Sequence, residues 1–194
     1  MRSDPGAVSR IDVGDGIYVA AAPAAVSRKV PLPALVVGAA LAAVALVRLG
    51  LTPDGVLAAW MLVVLSALAG IDLRARVLPN RIIGPAMLAA IAWQLAFAPD
   101  RAVESLVAAV AVGAFLFVTC LLSPGALGMG DIKLAALLGL VLGAQVISAL
   151  MIGFIAVVPV ALTLLVVGRR GARRTAIPFG PFLGLGAAVV LLAS

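Results

Sequence analysis

Two of the chain's eight carboxylates stand where an ionised group is expensive. Asp72 closes the apolar run "VLAAWMLVVLSALAGI", and Asp131, in "GMGDIKL" (128–134), opens the run "IKLAALLGLVLG". Carboxylates at the edge of hydrocarbon are candidates for function, because lipid cannot solvate their charge. Two carboxylates are also what aspartic proteolysis requires. Brought within a few ångströms of each other they cannot both ionise, so one holds a proton while the other is a base. The base takes a proton from the water that attacks the scissile carbonyl, and the acid protonates the developing oxyanion and then the leaving amine. The pair titrates as a unit, so neither role belongs to one residue. The chain has no histidine and one cysteine, Cys120, inside an apolar run. Histidine-based catalysis, a Cys-rich zinc site and a disulfide framework are thereby excluded, and no metal site is expected.

Each acid also has an ordinary role open to it. Asp72 could pair with Arg74 or Arg76, and Asp131 could cap the helix that follows it. Asp4, Asp12 and Asp15 belong to the polar N-terminal segment, while Asp54, Asp100 and Glu104 fall in short loops or at helix starts and read as solvated residues or caps. Gly128 and Gly130 lack side chains, so the backbone before Asp131 can pass close to a neighbouring helix or a substrate strand. Lys133 either tunes the carboxylates electrostatically or snorkels to the membrane surface. Pro79-Asn80 opens a helix. In "PFGP" (178–181), Pro178, Phe179 and Gly180 either break a helix near the carboxylates, freeing backbone groups for an extended substrate, or simply start one.

The elements that must position these residues are membrane helices. With 64% hydrophobic residues, 11% charged residues and a mean hydropathy of +1.27, the chain reads as an all-α, polytopic transmembrane bundle. A span needs roughly 20 apolar residues, which places spans near 34–51, 56–71, 82–98 and 103–122 and a last one over 178–193. The stretch from Ile132 to Val167 would make a single helix of roughly 54 Å at about 1.5 Å per residue, against a core of roughly 30 Å. Two helices turning near "LGAQ" (142–145) fit better, the first of them short and shielded by its neighbours. The total is about seven spans, six to eight being compatible with the pattern. Residues 1–33 read as a mobile cytosolic tail and 34–194 as the membrane domain.

The cations fix the orientation. With the N-terminus inside, Arg2, Arg10, Arg28, Lys29, Arg74, Arg76, Arg81, Lys133, Arg169, Arg170, Arg173 and Arg174 fall on the cytosolic side, and only Arg48 and Arg101 outside, a split of 12 to 2 among the 14. Asp72 and Asp131 then share one side and one depth, at the cytosolic face. The positive charge lies in short runs between apolar segments, so it sets topology and gives no nucleic-acid surface.

"GMGDIKL", "IDLRARVLPNR" (71–81) and "IPFGPFLGLGA" (177–187) together resemble type IV prepilin peptidases, the Gly-x-Gly-Asp membrane aspartic proteases that include archaeal preflagellin peptidases. The resemblance covers roughly residues 56–194. It implies Asp72 and Asp131 as the catalytic pair, Gly128 and Gly130 as the motif glycines, and cleavage of basic leader peptides from pilin-like precursors at the cytosolic face of the inner or plasma membrane. Long bacterial forms carry a cytosolic insertion with paired cysteines and often methylate the new amino terminus. The single cysteine here resembles the short form of tight-adherence pilus systems, and no sequence for a methyl donor stands out; neither cofactor nor methyl transfer is expected. A presenilin-like or signal-peptide-peptidase-like protease shares Gly-x-Gly-Asp but usually has tyrosine before its first aspartate, where Ile71 stands here. A small proton-coupled or cation transporter using the two acids is the alternative outside proteolysis.

Overall fold

The computed structural model describes residues 11–13, 16–18, 30–123, 128–167 and 179–193. Among these are seven helices: α1 (Leu32–Leu49), α2 (Pro53–Ala75), α3 (Asn80–Phe97), α4 (Pro99–Leu122), α5 (Met129–Leu142), α6 (Val146–Val167) and α7 (Gly180–Ala193). The expected all-α bundle is the observed one. Ahead of it, β1 (Ile11–Val13) and β2 (Gly16–Tyr18) form a short antiparallel pair, Ile11 opposite Tyr18, which hydropathy did not foretell. Pro178 and the cations at 2, 10, 28, 29, 169, 170, 173 and 174, with the roles expected of them, lie outside the described residues.

The helix starts follow local chemistry. Pro53 and Pro99 occupy first-turn positions, where a missing N–H costs nothing. Thr52 caps α2, its hydroxyl oxygen accepting the Gly55 N–H at 3.1 Å. Four segments are long and apolar enough to cross a membrane: Leu32–Leu49, Pro53–Ala75, Pro99–Leu122 and Met129–Thr163. The last is interrupted by a 3-10 turn at Gly143–Gln145, where the chain reverses. Gly143 has φ +55°, a conformation that would strain other residues.

Neighbouring side chains settle the backbone groups that this break releases. The Ala144 N–H donates to Glu104 Oε1 at 3.3 Å, and the Leu140 carbonyl accepts from Gln94 Nε2 at 3.0 Å. Gln94 also donates to Ser105 Oγ at 3.3 Å, so α3, α4 and the end of α5 meet in one buried polar knot. Glu104 is therefore more than a solvated loop acid or a cap on its own helix.

Contacts along the helices give their directions. Gly153 of α6 lies against Phe182 and Gly186 of α7 against Ala149, so these two helices run antiparallel. Arg48, at the end of α1, donates to the Leu192 carbonyl at the end of α7. Asp72 and the starts of α3, α5 and α7 thus share one end of the bundle, and the Asp54–Arg101 ion pair (3.4 Å) lies at the other.

The core runs through α2, α5 and α7, with Met61, Leu68, Leu134, Leu138 and Leu183 fully buried. At about 1.5 Å per residue, 14-residue α5 is roughly 21 Å long. Its middle, from Ile132 to Leu140, is mostly buried among its neighbours, the shielding expected for so short an apolar helix. Close packing relies on small residues: a Cβ on Gly139 of α5 would stand 2.5 Å from the Ala109 Cα of α4. Val107, Val110 and Phe115 of α4 and Ile147 and Ile155 of α6 point outward, as an apolar solvent permits.

Candidate active site

Asp72 lies in the last turn of α2, almost wholly buried. Its Oδ2 accepts the Gly180 N–H at 3.1 Å. Gly180 is the first residue of α7, so a free helix N-terminal N–H meets a carboxylate, the arrangement that suits both groups. A Cβ at position 180 would lie 2.8 Å from the same oxygen, and only glycine lets the helix start sit so close. Arg76 acts on Asp72 through its charge, but the carboxylate's direct partner is a backbone amide, not Arg74 or Arg76.

Three residues beyond Asp72, α2 stops. Arg76 adopts a left-handed conformation (φ 50°, ψ 35°), and its N–H donates to the Asp72 carbonyl at 2.8 Å. Left-handed residues end helices, usually as glycine; a side-chain-bearing residue accepts some strain to do so. Pro79 then bars any continuation, and α3 begins at Asn80.

Asp131 does not cap α5. Gly128 is the N-cap, in extended conformation (φ −80°, ψ 144°), and Asp131 is the third helical residue. From that position the side chain reaches back over the first turn, and a Cβ at Gly128 would stand 3.1 Å from Asp131 Oδ2. Gly130 supplies the close approach anticipated for it: a Cβ there would stand 2.7 Å from Leu78 Cβ. Lys133 is half-buried. Its Nζ donates to Asn80 Oδ1 at 3.0 Å, joining α5 to the start of α3.

The carboxylates of Asp72 and Asp131 come near enough for the charge of one to act directly on the other. Asp72 is held by the first backbone N–H of α7, and the Asp131 carboxylate lies back over the first turn of α5, beside Gly128. Such a pair can divide one proton between two acids and so supply a general base and a general acid at one point. Among the described residues no cluster of His, Cys, Asp and Glu could hold a metal ion.

Of the "PFGP" residues, Gly180 reaches the site through its N–H. Phe179 caps α7, its carbonyl accepting the N–H groups of Phe182 and Leu183, and its ring packs against Phe154 at 5.1 Å between centroids. A plain helix start and proximity to Asp72 are thus both true of this stretch. Sequence reasoning gave Asn80 as a helix start within the resembling stretch "IDLRARVLPNR" and gave Leu78 no role of its own.

The family model of type IV leader peptidases matches residues 56–166, more than half of the chain, and takes in Asp72, Gly128, Gly130 and Asp131. No curated protein and no solved structure matches the chain. An apolar bundle with several helices able to cross a bilayer, matched over its centre by that family, leads to one assignment: the chain belongs to the type IV leader peptidase family and is a multi-pass membrane peptidase.

Proposed function

We propose that this peptidase is an aspartic endopeptidase that removes leader peptides from pilin-like precursors, with Asp72 and Asp131 as its catalytic pair. The observation that carries the reading is that both carboxylates lie at one end of the bundle, near enough for the charge of one to act on the other, with Asp72 steadied by the first N–H of α7. The ionised carboxylate takes a proton from water, and the water oxygen bonds to the carbonyl carbon. The protonated carboxyl gives its proton to the carbonyl oxygen. Collapse of the tetrahedral intermediate breaks the C–N bond, the amine leaves with a proton from the pair, and the net change is one water added across the peptide bond.

The enzyme lies in the inner or plasma membrane with its N-terminus and the carboxylates on the cytosolic side, an orientation that the cation count supports. Residues 34–194 form the peptidase unit, and no cofactor or methyl transfer is assigned to it. Substrate enters laterally from the bilayer. Supporting this is a groove of about 590 Å³ between α1, α2 and α7, floored by Ala34, Gly70, Gly184 and Ala188 and ending beside Asp72 at Leu73 and Pro181. Small residues on its floor let another helix approach closely.

The test is incubation of the purified protein with pilin-like precursors, followed by sequencing of the new amino terminus. Wild type is expected to cut at the leader junction, and Asp72→Asn and Asp131→Asn are expected to give background cleavage while remaining folded in membranes. Normal processing by either variant overturns the pair. A cut deep within the apolar helix of the substrate would place the enzyme with the presenilin-like proteases instead.

A further inference from the structure

α2 and α5 carry the two carboxylates yet touch each other only slightly; α5 leans on α3 and α4. Direct packing between them therefore does not fix the separation of Asp72 and Asp131. One link is α7, which packs on both helices and holds Asp72 through Gly180. The other is the short segment from Arg76 to Asn80, the covalent path from the end of α2 to the start of α3. It is anchored at both ends. At the α2 end, Arg76 turns left-handed with its N–H on the Asp72 carbonyl. At the α5 end, buried Leu78 fills the space that Gly130 leaves, and Asn80 Oδ1 takes the Lys133 ammonium at 3.0 Å.

Lys133 is the fifth residue of α5, one turn in from the helix start. An ammonium donates only, so the amide oxygen is the one atom of the Asn80 side chain that it can use.

We propose that Asn80 and Lys133, together with the Leu78–Gly130 contact, are positioning elements that hold the first turn of α5 at the distance from α2 that the catalytic pair needs. The proposal rests on the aspartic reading above. Neither Asn80 nor Lys133 takes part in proton transfer; their bridge sets where Asp131 stands. A shift of about 1 Å in a reacting group can cost roughly a hundredfold in rate, so a modest surface hydrogen bond can govern turnover while adding little stability.

The experiment measures steady-state cleavage of one precursor by full-length protein in detergent or liposomes. Asn80→Ala and Lys133→Met are each expected to lower kcat by about tenfold, part of the loss that a full 1 Å displacement brings, with KM within about twofold. The double variant is expected to be no worse than either single one, because both remove the same bridge. Asn80→Asp keeps an oxygen acceptor for Lys133 and is expected to restore most of kcat. In a second arm free of charge effects, Gly130→Ala lowers kcat and Leu78→Ala in the same chain recovers part of it by making room.

Multiplying losses in the double variant, a rise in KM alone, or a failed Asn80→Asp rescue would each overturn the bridge. Failure of Leu78→Ala to relieve Gly130→Ala would overturn the contact. Full activity of Asp72→Asn would instead remove the aspartic reading on which the proposal stands, a result that these variants do not mimic.

Discussion

At the residue scale, the site depends on what is absent from side chains. Gly180 lets the start of α7 donate to Asp72 Oδ2, and a methyl group there would lie 2.8 Å from that oxygen. The carboxylate must then move away or lose its amide. Gly180→Ala is accordingly expected to cut the initial cleavage rate by about ten- to a hundredfold, the range for displacing a reacting group by up to about 1 Å. The thermal midpoint should stay close to that of wild type, and unchanged kinetics would show that Asp72 does not need this amide. The two acids and the motif glycines were legible in the sequence because carboxylates beside apolar runs are conspicuous. The role of Gly180 was not, since "PFGP" suits any helix start and its partner lies 108 residues away.

At the scale of elements, packing through small residues sets which helices are neighbours. Gly139 presses on the backbone of α4, where an added Cβ would stand 2.5 Å from the Ala109 Cα. Backbone cannot step aside as a side chain can. Gly139→Val is expected to destabilise the bundle by about 1–3 kcal/mol, the usual cost of overpacking, read as a lower melting temperature in detergent. Gly84 in α3 has nothing within 4 Å of where a Cβ would stand. Gly84→Ala should be neutral or stabilise by up to about 1 kcal/mol, since alanine loses less chain entropy in a helix. Equal effects of the two variants would mean that these interfaces are looser than their spacing indicates. Helix positions were readable from hydropathy, including the reversal near 142–145, because an apolar stretch too long for one span must turn. The means of that turn were hidden: Glu104 and Gln94 reach it from α4 and α3.

For the whole molecule, the alternation of seven helices puts Asp72, the starts of α3, α5 and α7, and the start of α1 at one end. From the cation distribution that end is expected to face the cytosol. With Cys120 replaced by serine, a cysteine at position 51 should react with a membrane-impermeant maleimide on intact cells, and a cysteine at position 123 only after lysis. Leu51 and Ser123 are both exposed, at opposite ends of the bundle. The reverse labelling pattern would invert the topology and put the carboxylates outside.

By itself the sequence determined the solvent, the approximate spans and the two acids worth attention, and its charges gave an orientation to expect. These follow from one-dimensional quantities: runs of apolar residues, counts of charge and the cost of a carboxylate near hydrocarbon. The tertiary structure alone decided that the end of α2 meets the starts of α5 and α7, and that residues 78–80 lean on the first turn of α5. Such choices arise from interlocking surfaces of helices that are all comparably apolar. Lipid gives no hydrophobic force to pick one neighbour over another, so shape and a few buried polar groups must choose.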